Sequence, residues 1–343
     1  MFFKFCSIFY IVTLRVKELA STYSRVFTCL FCLIALSPFQ LEDPIYAMDP
    51  NHSGVIIMAH GGSQDWNKAV SNAVAPLLNY CPTEIAFGMA HRGSLQKAIS
   101  NLEEKGVRRI AVVRLFVSGD SFLEQTEYFL GLRSEPPQYF LHHDNFMDMT
   151  EPRGNKSVQL EDMLVSSKKH PLKPIKFNSA LALTQKGLYD SSLITQIVAE
   201  RVNSLSRNPS NESVLILAHG EGDDNINSKW IERIERLSKA IQNIGSFRKI
   251  RIETLREDWK HKKKIAEAKI RKFVSVESKI GEVLVVPFRV YGFGPIESVL
   301  KNLEYRSDGR GLLPHPIITK WLMKEASQCF QKNSWPNPFP EGK

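Results

Sequence analysis

The run Gly54-Val-Ile-Ile-Met-Ala-His-Gly-Gly62 recurs in the second half of the chain as Ser213-Val-Leu-Ile-Leu-Ala-His-Gly220. Each copy is a short, continuous apolar stretch that ends in Ala-His-Gly and gives way to a polar loop and then to a helical pattern. A stretch of this length that is apolar on both faces reads as a buried parallel strand. His60 and His219 are therefore expected at the carboxyl ends of two strands, the edge at which open α/β sheets bind their ligands.

Strand and helix patterns alternate from there on. In the first half, residues 84–88, 109–117 and, more weakly, 174–178 read as further strands. Between them, Ala69, Val70, Ala73, Val74, Leu77 and Leu78 recur at helical spacing over residues 67–80, interrupted by Pro76. A second helix opens at Ser94 as N-cap, lines Leu95, Ala98, Ile99 and Leu102 on one face and stops at Gly106. Two more are expected near residues 123–132 and over 191–205. The second half replays the order with strands at 214–218, 249–255 and 282–288. Its helices run through Trp230, Ile231, Ile234, Leu237 and Ile241, over the basic stretch 260–273, and from Pro295 onward.

This alternation predicts an α/β protein of two similar domains, each a small parallel sheet flanked by helices. Ile110-Ala-Val-Val-Arg-Leu-Phe116 and Val283-Leu-Val-Val-Pro-Phe288 hold matching places relative to their Ala-His-Gly strands, so duplication of one unit is the economical origin. With 343 residues, 43% of them hydrophobic, the chain is long enough for two cores and too apolar for disorder. The first unit is expected over 53–132 and 174–211, the second over 212–325, and a loose tail over 326–343. Residues 133–173, rich in proline and polar side chains, exceed an ordinary connection and read as a flap or an insertion.

Residues 1–47 read as a leader. The apolar run Val26-Phe-Thr-Cys-Leu-Phe-Cys-Leu-Ile-Ala-Leu36 follows Lys17 and Arg25, and Ala47 offers a cleavage point, the layout of a signal peptide. The run is short for a permanent membrane span. Cleavage implies an exported or periplasmic protein; without it the protein is expected in the cytoplasm. Cys6, Cys29 and Cys32 fall in the leader, which leaves Cys81 and Cys329 as separate buried thiols or, after export, one disulfide. A formal charge of +9 favours acidic partners: nucleic acid, anionic lipid or a polycarboxylate small molecule.

Ala59-His-Gly-Gly-Ser63, Ser94-Leu-Gln-Lys-Ala98, Gly106-Val-Arg-Arg-Ile-Ala-Val-Val-Arg-Leu-Phe-Val-Ser118 and Gly311-Leu-Leu-Pro-His-Pro316 with Ile317 and Trp321 together resemble the class II tetrapyrrole chelatases. The resemblance is to the sirohydrochlorin cobalt/iron chelatase group in its long two-half form, over residues 54–325 with 133–173 unmatched. It implies that a divalent ion, cobalt(II) or iron(II), is inserted as substrate into an anionic, sirohydrochlorin-type tetrapyrrole, a lyase reaction. His60 would act on metal and macrocycle together, with Ser63, Arg92, Arg114, Ser118 and Ser121 on the substrate side. Imidazole suits the chemistry because it is neutral near pH 7, ligates divalent ions and accepts a pyrrole proton.

One departure stands out. The family's second histidine, in the loop after the Leu-Phe strand, is replaced here by Ser121-Phe122, and the second half has Phe293-Gly294-Pro295 at that place. His91, in Met89-Ala-His-Arg-Gly93, ends the neighbouring strand and has two readings: a replacement metal ligand beside His60, or a cap of the helix that follows. A non-catalytic, exported metal- or tetrapyrrole-binding protein is accordingly the alternative function.

Of the remaining candidates, His142-His143-Asp144 lies in the insertion as a metal-binding option, and His219, followed by Glu221-Gly-Asp-Asp224 without a serine, reads as structural. His315 reads as a helix-start residue and residues 260–264 as a solvated basic face. No aromatic interleaving or binding module marks a nucleic-acid protein. No Gly-x-Ser-x-Gly elbow or Gly-x-Gly-x-x-Gly fingerprint supports an esterase or a dinucleotide enzyme. No residue pattern fixes an oligomeric state.

Overall fold

β1 (Ser53–Ala59) is buried along its whole length, and the fold is arranged about it and its counterpart β5 (Glu212–Ala218). The protein is represented by a computed structural model that describes residues 52–137 and 173–331. The first sheet has the order β2-β1-β3-β4, with β2 Thr83–Phe87, β3 Arg109–Leu115 and β4 Ala180–Leu183, all parallel. The second has the order β6-β5-β7, with β6 Lys249–Thr254 and β7 Glu282–Phe288, also parallel. Each Ala-His-Gly strand is thus central in its sheet. Ala59 lies level with Phe87 and Leu115, and Ala218 with Thr254 and Phe288, so the histidines emerge between two neighbouring strand ends.

Alternate residues of the central strands feed different layers, as a pleated strand requires. Val55, Ile57 and Ala59 join Val214, Ile216 and Ala218 in one continuous core between the sheets. Its helical filling comes from α1 (Gln64–Val74), α4 (Ser192–Leu205), α5 (Asp224–Gln242) and α8 (Pro316–Phe330). Ile56 and Met58 face a second core under α2 (Arg92–Glu104) and α3 (Leu123–Phe129). Leu215 and Leu217 face a third under α6 (Lys260–Glu277) and α7 (Ile296–Val299). Each fully buried aliphatic side chain contributes roughly 1.5–3 kcal/mol, so uninterrupted apolar runs of this kind are the fold's main anchor.

Several elements differ from the sequence expectations. The fourth strand is Ala180–Leu183 rather than 174–178: Glu103 accepts from the Asn178 and Ser179 amides at 2.7 and 2.8 Å, withdrawing them from any ladder, while Ile175 and Phe177 still pack inward. α2 begins at Arg92 with His91 as its N-cap, not at Ser94. α1 ends at Val74 and continues as a 3-10 turn, Ala75–Asn79, because Pro76 supplies no N–H to an α-helix. α8 persists to Phe330, past the point at which a loose tail is expected, because Ala326, Cys329 and Phe330 are buried. Helices also cross between the halves: α4 packs on α5 and β7, and α8 packs on β3 and α1.

Cys81 and Cys329 are buried, separate thiols. Among the described residues, no helix is long and apolar enough to cross a membrane. The leader with its cleavage point, most of the insertion with His142, His143 and Asp144, and residues 332–343 lie outside the described residues.

Candidate functional site

The Ala-His-Gly motif has a conformational purpose. Gly61 and Gly220 have φ of +81° and +83°, left-handed values that L side chains rarely adopt. The turn sends each glycine carbonyl back onto the preceding imidazole, with His60 Nδ1 at 2.7 Å and His219 Nδ1 at 2.8 Å. A carbonyl only accepts, so Nδ1 carries the proton in both rings. A second device holds both turns: Asn67 Oδ1 accepts from the Gly62 amide and Asn227 Oδ1 from the Glu221 amide, each at 3.0 Å.

The two imidazoles then part ways. His60 is exposed at the end of β1, and among the described residues its Nε2 has no hydrogen-bond partner. With Nδ1 protonated, Nε2 holds the lone pair. His219 instead directs Nε2 at Asp258 Oδ2, 3.1 Å, and at Glu257 Oε1, 3.5 Å. Both of its nitrogens therefore donate, which describes an imidazolium. Burial works against that charge, but the bonds to Asp258 and the Gly220 carbonyl and the field of Glu257 outweigh it and raise the His219 pKa.

The bond to His219 is the largest influence lowering the pKa of Asp258, and the charges of His219 and Arg289 lower it further. Glu257 is clamped by Arg289, whose Nη1 lies 2.9 Å from each carboxylate oxygen. The loop that presents both acids turns at Arg256, φ 54°, which donates to the Glu221 carbonyl at 2.6 Å and to Asp224 at 2.6 Å. Aromatic rings flank both histidines. Trp66 lies 6.5 Å from the His60 ring and meets Phe87 edge-on at 6.3 Å, while Trp259 meets the His219 ring edge-on at 6.1 Å.

His91 takes the capping role. Its Nδ1 accepts the Ser94 amide at 3.1 Å, so in the neutral ring the proton sits on Nε2 and no lone pair is left for a metal. The pairing of His91 with His60 as a two-histidine metal site is corrected on that ground. Arg114 is also reassigned. It is 1% exposed and donates to the carbonyls of Thr184 (2.9 Å), Ser121 (2.7 Å), Gln185 (3.2 Å) and Gly119. Burial pushes its pKa down to about 10 against the opposing fields of Glu127 and Asp120. It braces the loop after β3 and does not face substrate.

Ser118 is likewise buried, 2.6 Å from the Tyr189 hydroxyl, and Ser121 takes part through its carbonyl. Ser63 caps α1, accepting from the Trp66 amide at 3.3 Å, and Arg92 is exposed, with Nε donating to the Lys173 carbonyl at 2.8 Å. His315 caps α8 and meets Glu200 at 2.8 Å. Among the described residues, no three His, Cys, Asp or Glu side chains converge as a ready metal-ligand set.

Sequence reasoning missed Asn67, Asn227, Glu257 and Asp258. Asn67 and Asn227 leave a trace, a poor helix former in the first turn or two after each Ala-His-Gly. The two acids leave none, because their place is set by the left-handed turn at Arg256.

No protein-family profile matches the chain, and no curated protein does. Solved structures do. A multi-domain protein from Deinococcus radiodurans, described as structurally similar to chelatases with two additional novel domains, superposes at TM-score 0.50 with 13% identity. The match covers 82% of this chain and 56% of that one, so the chain spans little more than half of that protein's length. SirB from Bacillus subtilis, solved with Fe3+, superposes at TM-score 0.52 with 11% identity over 82% of this chain and 96% of SirB. The sirohydrochlorin chelatase SirB of Bacillus subtilis subspecies spizizenii, in complex with cobalt, gives 0.48 and 11% over 81% and 95%. The fold of this chain is class II chelatase-like.

Proposed function

We propose that this protein inserts a divalent ion, cobalt(II) or iron(II), into a carboxylate-bearing tetrapyrrole of the sirohydrochlorin class, with His60 as ligand and proton acceptor. The observation that carries the reading is the state of His60: Nδ1–H is spent on Gly61, and Nε2 is exposed at a strand end with no hydrogen-bond partner among the described residues. Insertion exchanges two pyrrole N–H protons for one dication. In this account Nε2 first holds the ion. Once the ion has passed to the pyrrole nitrogens, Nε2 takes one proton and solvent takes the other. Trp66 and Phe87 offer an apolar wall to a flat macrocycle. Ser63 and Arg92 stand on the same edge to meet its carboxylates.

A carrier that binds metal or tetrapyrrole without joining them is the second reading. It is favoured by Ser121-Phe122 at the place of the family's loop histidine and by the lack of a converged three-ligand set among the described residues. Incubating the protein with sirohydrochlorin and cobalt(II) and following the visible spectrum separates the two. Acceleration over metal alone supports the enzyme; binding without acceleration supports the carrier. The reading extends to an exported protein cleaved near Ala47, and the intact mass of the native protein tests that step.

A further inference from the structure

α6 turns Ala266, Ile270, Phe273 and Val274 toward β6 and β7. Its opposite side is unusual for a solvated face. Ile265, Val276 and, in the turn that follows, Ile280 are 57, 48 and 62% exposed, half of the six large hydrophobic side chains that the described residues leave exposed. At 100° per residue, positions 264, 265, 268, 272 and 276 fall on one stripe about 120° wide. Lys264 and Lys272 are exposed on it, and Lys279 continues it beside Ile280.

The nearby acids are used elsewhere. Glu267 faces Lys263 at 3.7 Å, and Glu277 is buried against Arg248 and Lys249 at 2.6 and 2.5 Å. Among the described residues, Lys264, Lys272 and Lys279 have no carboxylate partner. The stripe is therefore apolar and cationic with no anion of its own.

We propose that this face docks on an anionic lipid bilayer, with α6 lying in the interfacial plane. The aliphatic side chains enter the acyl boundary while the lysine stems reach back to acidic headgroups, the combination such surfaces bind. A second copy of the chain fits less well, because two-fold pairing would set Lys264, Lys272 and Lys279 near their own images. Nucleic acid would use the lysines and leave the three aliphatic side chains in water. α6 begins directly after Asp258 and Trp259, so docking brings the loop that pairs with His219 toward the membrane surface.

The test is co-sedimentation of the full chain with phosphatidylcholine vesicles, with and without phosphatidylglycerol. Wild type is compared with Ile265→Ser/Val276→Ser/Ile280→Ser and with Lys264→Glu/Lys272→Glu/Lys279→Glu. All six positions are exposed, and unchanged thermal unfolding verifies the fold. Sedimentation with phosphatidylcholine alone reports what the apolar run of residues 1–47 contributes, and the three proteins are compared on the increment that phosphatidylglycerol adds. Binding that needs phosphatidylglycerol and weakens at least about tenfold in both variants is expected. Equal binding by all three proteins overturns the proposal. So does loss in the lysine variant alone accompanied by duplex DNA binding, or a wild-type dimer that the serine variant splits.

Discussion

His219 Nε2 lies 3.1 Å from Asp258 Oδ2, while His219 Nδ1 donates to the Gly220 carbonyl at 2.8 Å, so this imidazole is held charged by partners on both sides. His60 repeats only the second of those bonds. The same tripeptide thus yields one histidine whose charged form is favoured by its partners and another whose Nε2 has no partner among the described residues, and the difference lies in the loop after β6 rather than in the motif.

The folded pKa of His219 is raised, so its contribution to stability is fully present below the ordinary histidine value near 6.5 and is lost as pH rises through the folded value. Asp258 is lowered, so its contribution is present above the ordinary aspartate value and is lost as pH falls through its folded value. The pair is worth most between the two ordinary values and fades toward each folded value. Asp258→Asn is expected to return the His219 pKa toward 6.5 or below, read from the imidazole C–H shifts by NMR. An unchanged titration would rule out the pairing.

The glycine turns differ in tolerance. A Cβ on Gly220 would stand 2.5 Å from Asn227 Oδ1 and from Thr254 Cβ, whereas one on Gly61 would meet Phe87 Cβ at 3.3 Å. Left-handed backbone alone costs a non-glycine residue about 1–2 kcal/mol. Gly61→Ala should cost about that much, and Gly220→Ala clearly more, in urea unfolding midpoints. Equal costs would contradict the collision at Gly220.

Arg114 should behave as a brace. Replacement by Met leaves four carbonyls without their donor, those of Thr184 and Gly119 buried, and is expected to destabilise by about 3 kcal/mol or more, while macrocycle affinity per folded molecule changes little. A selective loss of affinity with intact stability would restore Arg114 to the substrate side.

Asn67→Ala removes the acceptor that fixes the Gly62 amide at 3.0 Å. About 1 kcal/mol of stability is expected to go with it, together with a slower insertion rate as His60 loses its fixed orientation. A rate equal to wild type would show that the turn needs no such pin.

What was legible in the sequence follows from how local its causes are. The central strands could be read because Val55–Met58 and Val214–Leu217 are apolar on both faces, and only a covered parallel strand tolerates that. His60 at a strand end came with them. The fourth strand was misplaced because Pro174-Ile-Lys-Phe-Asn178 does pack inward, while partners distant in sequence take its amides, the Glu103 carboxylate that of Asn178 and the Phe129 carbonyl that of Ile175. His91 was half legible: its place before a helix pointed to a cap and its place after a strand to a ligand, and the Ser94 amide decides between them. Arg114 misled because a basic residue at the edge of a proposed pocket suggests an anion, whereas four main-chain carbonyls were its partners. Asp258 was invisible, since its distance from His219 is set by sheet order.

The most direct measurement is the initial rate of cobalt(II) insertion into sirohydrochlorin by His60→Ala and His219→Ala beside wild type. The account predicts a loss of about 100-fold or more for His60→Ala, the scale of a removed general base, with most activity retained in His219→Ala. Equal losses from the two substitutions, or an undiminished rate in His60→Ala, would contradict it.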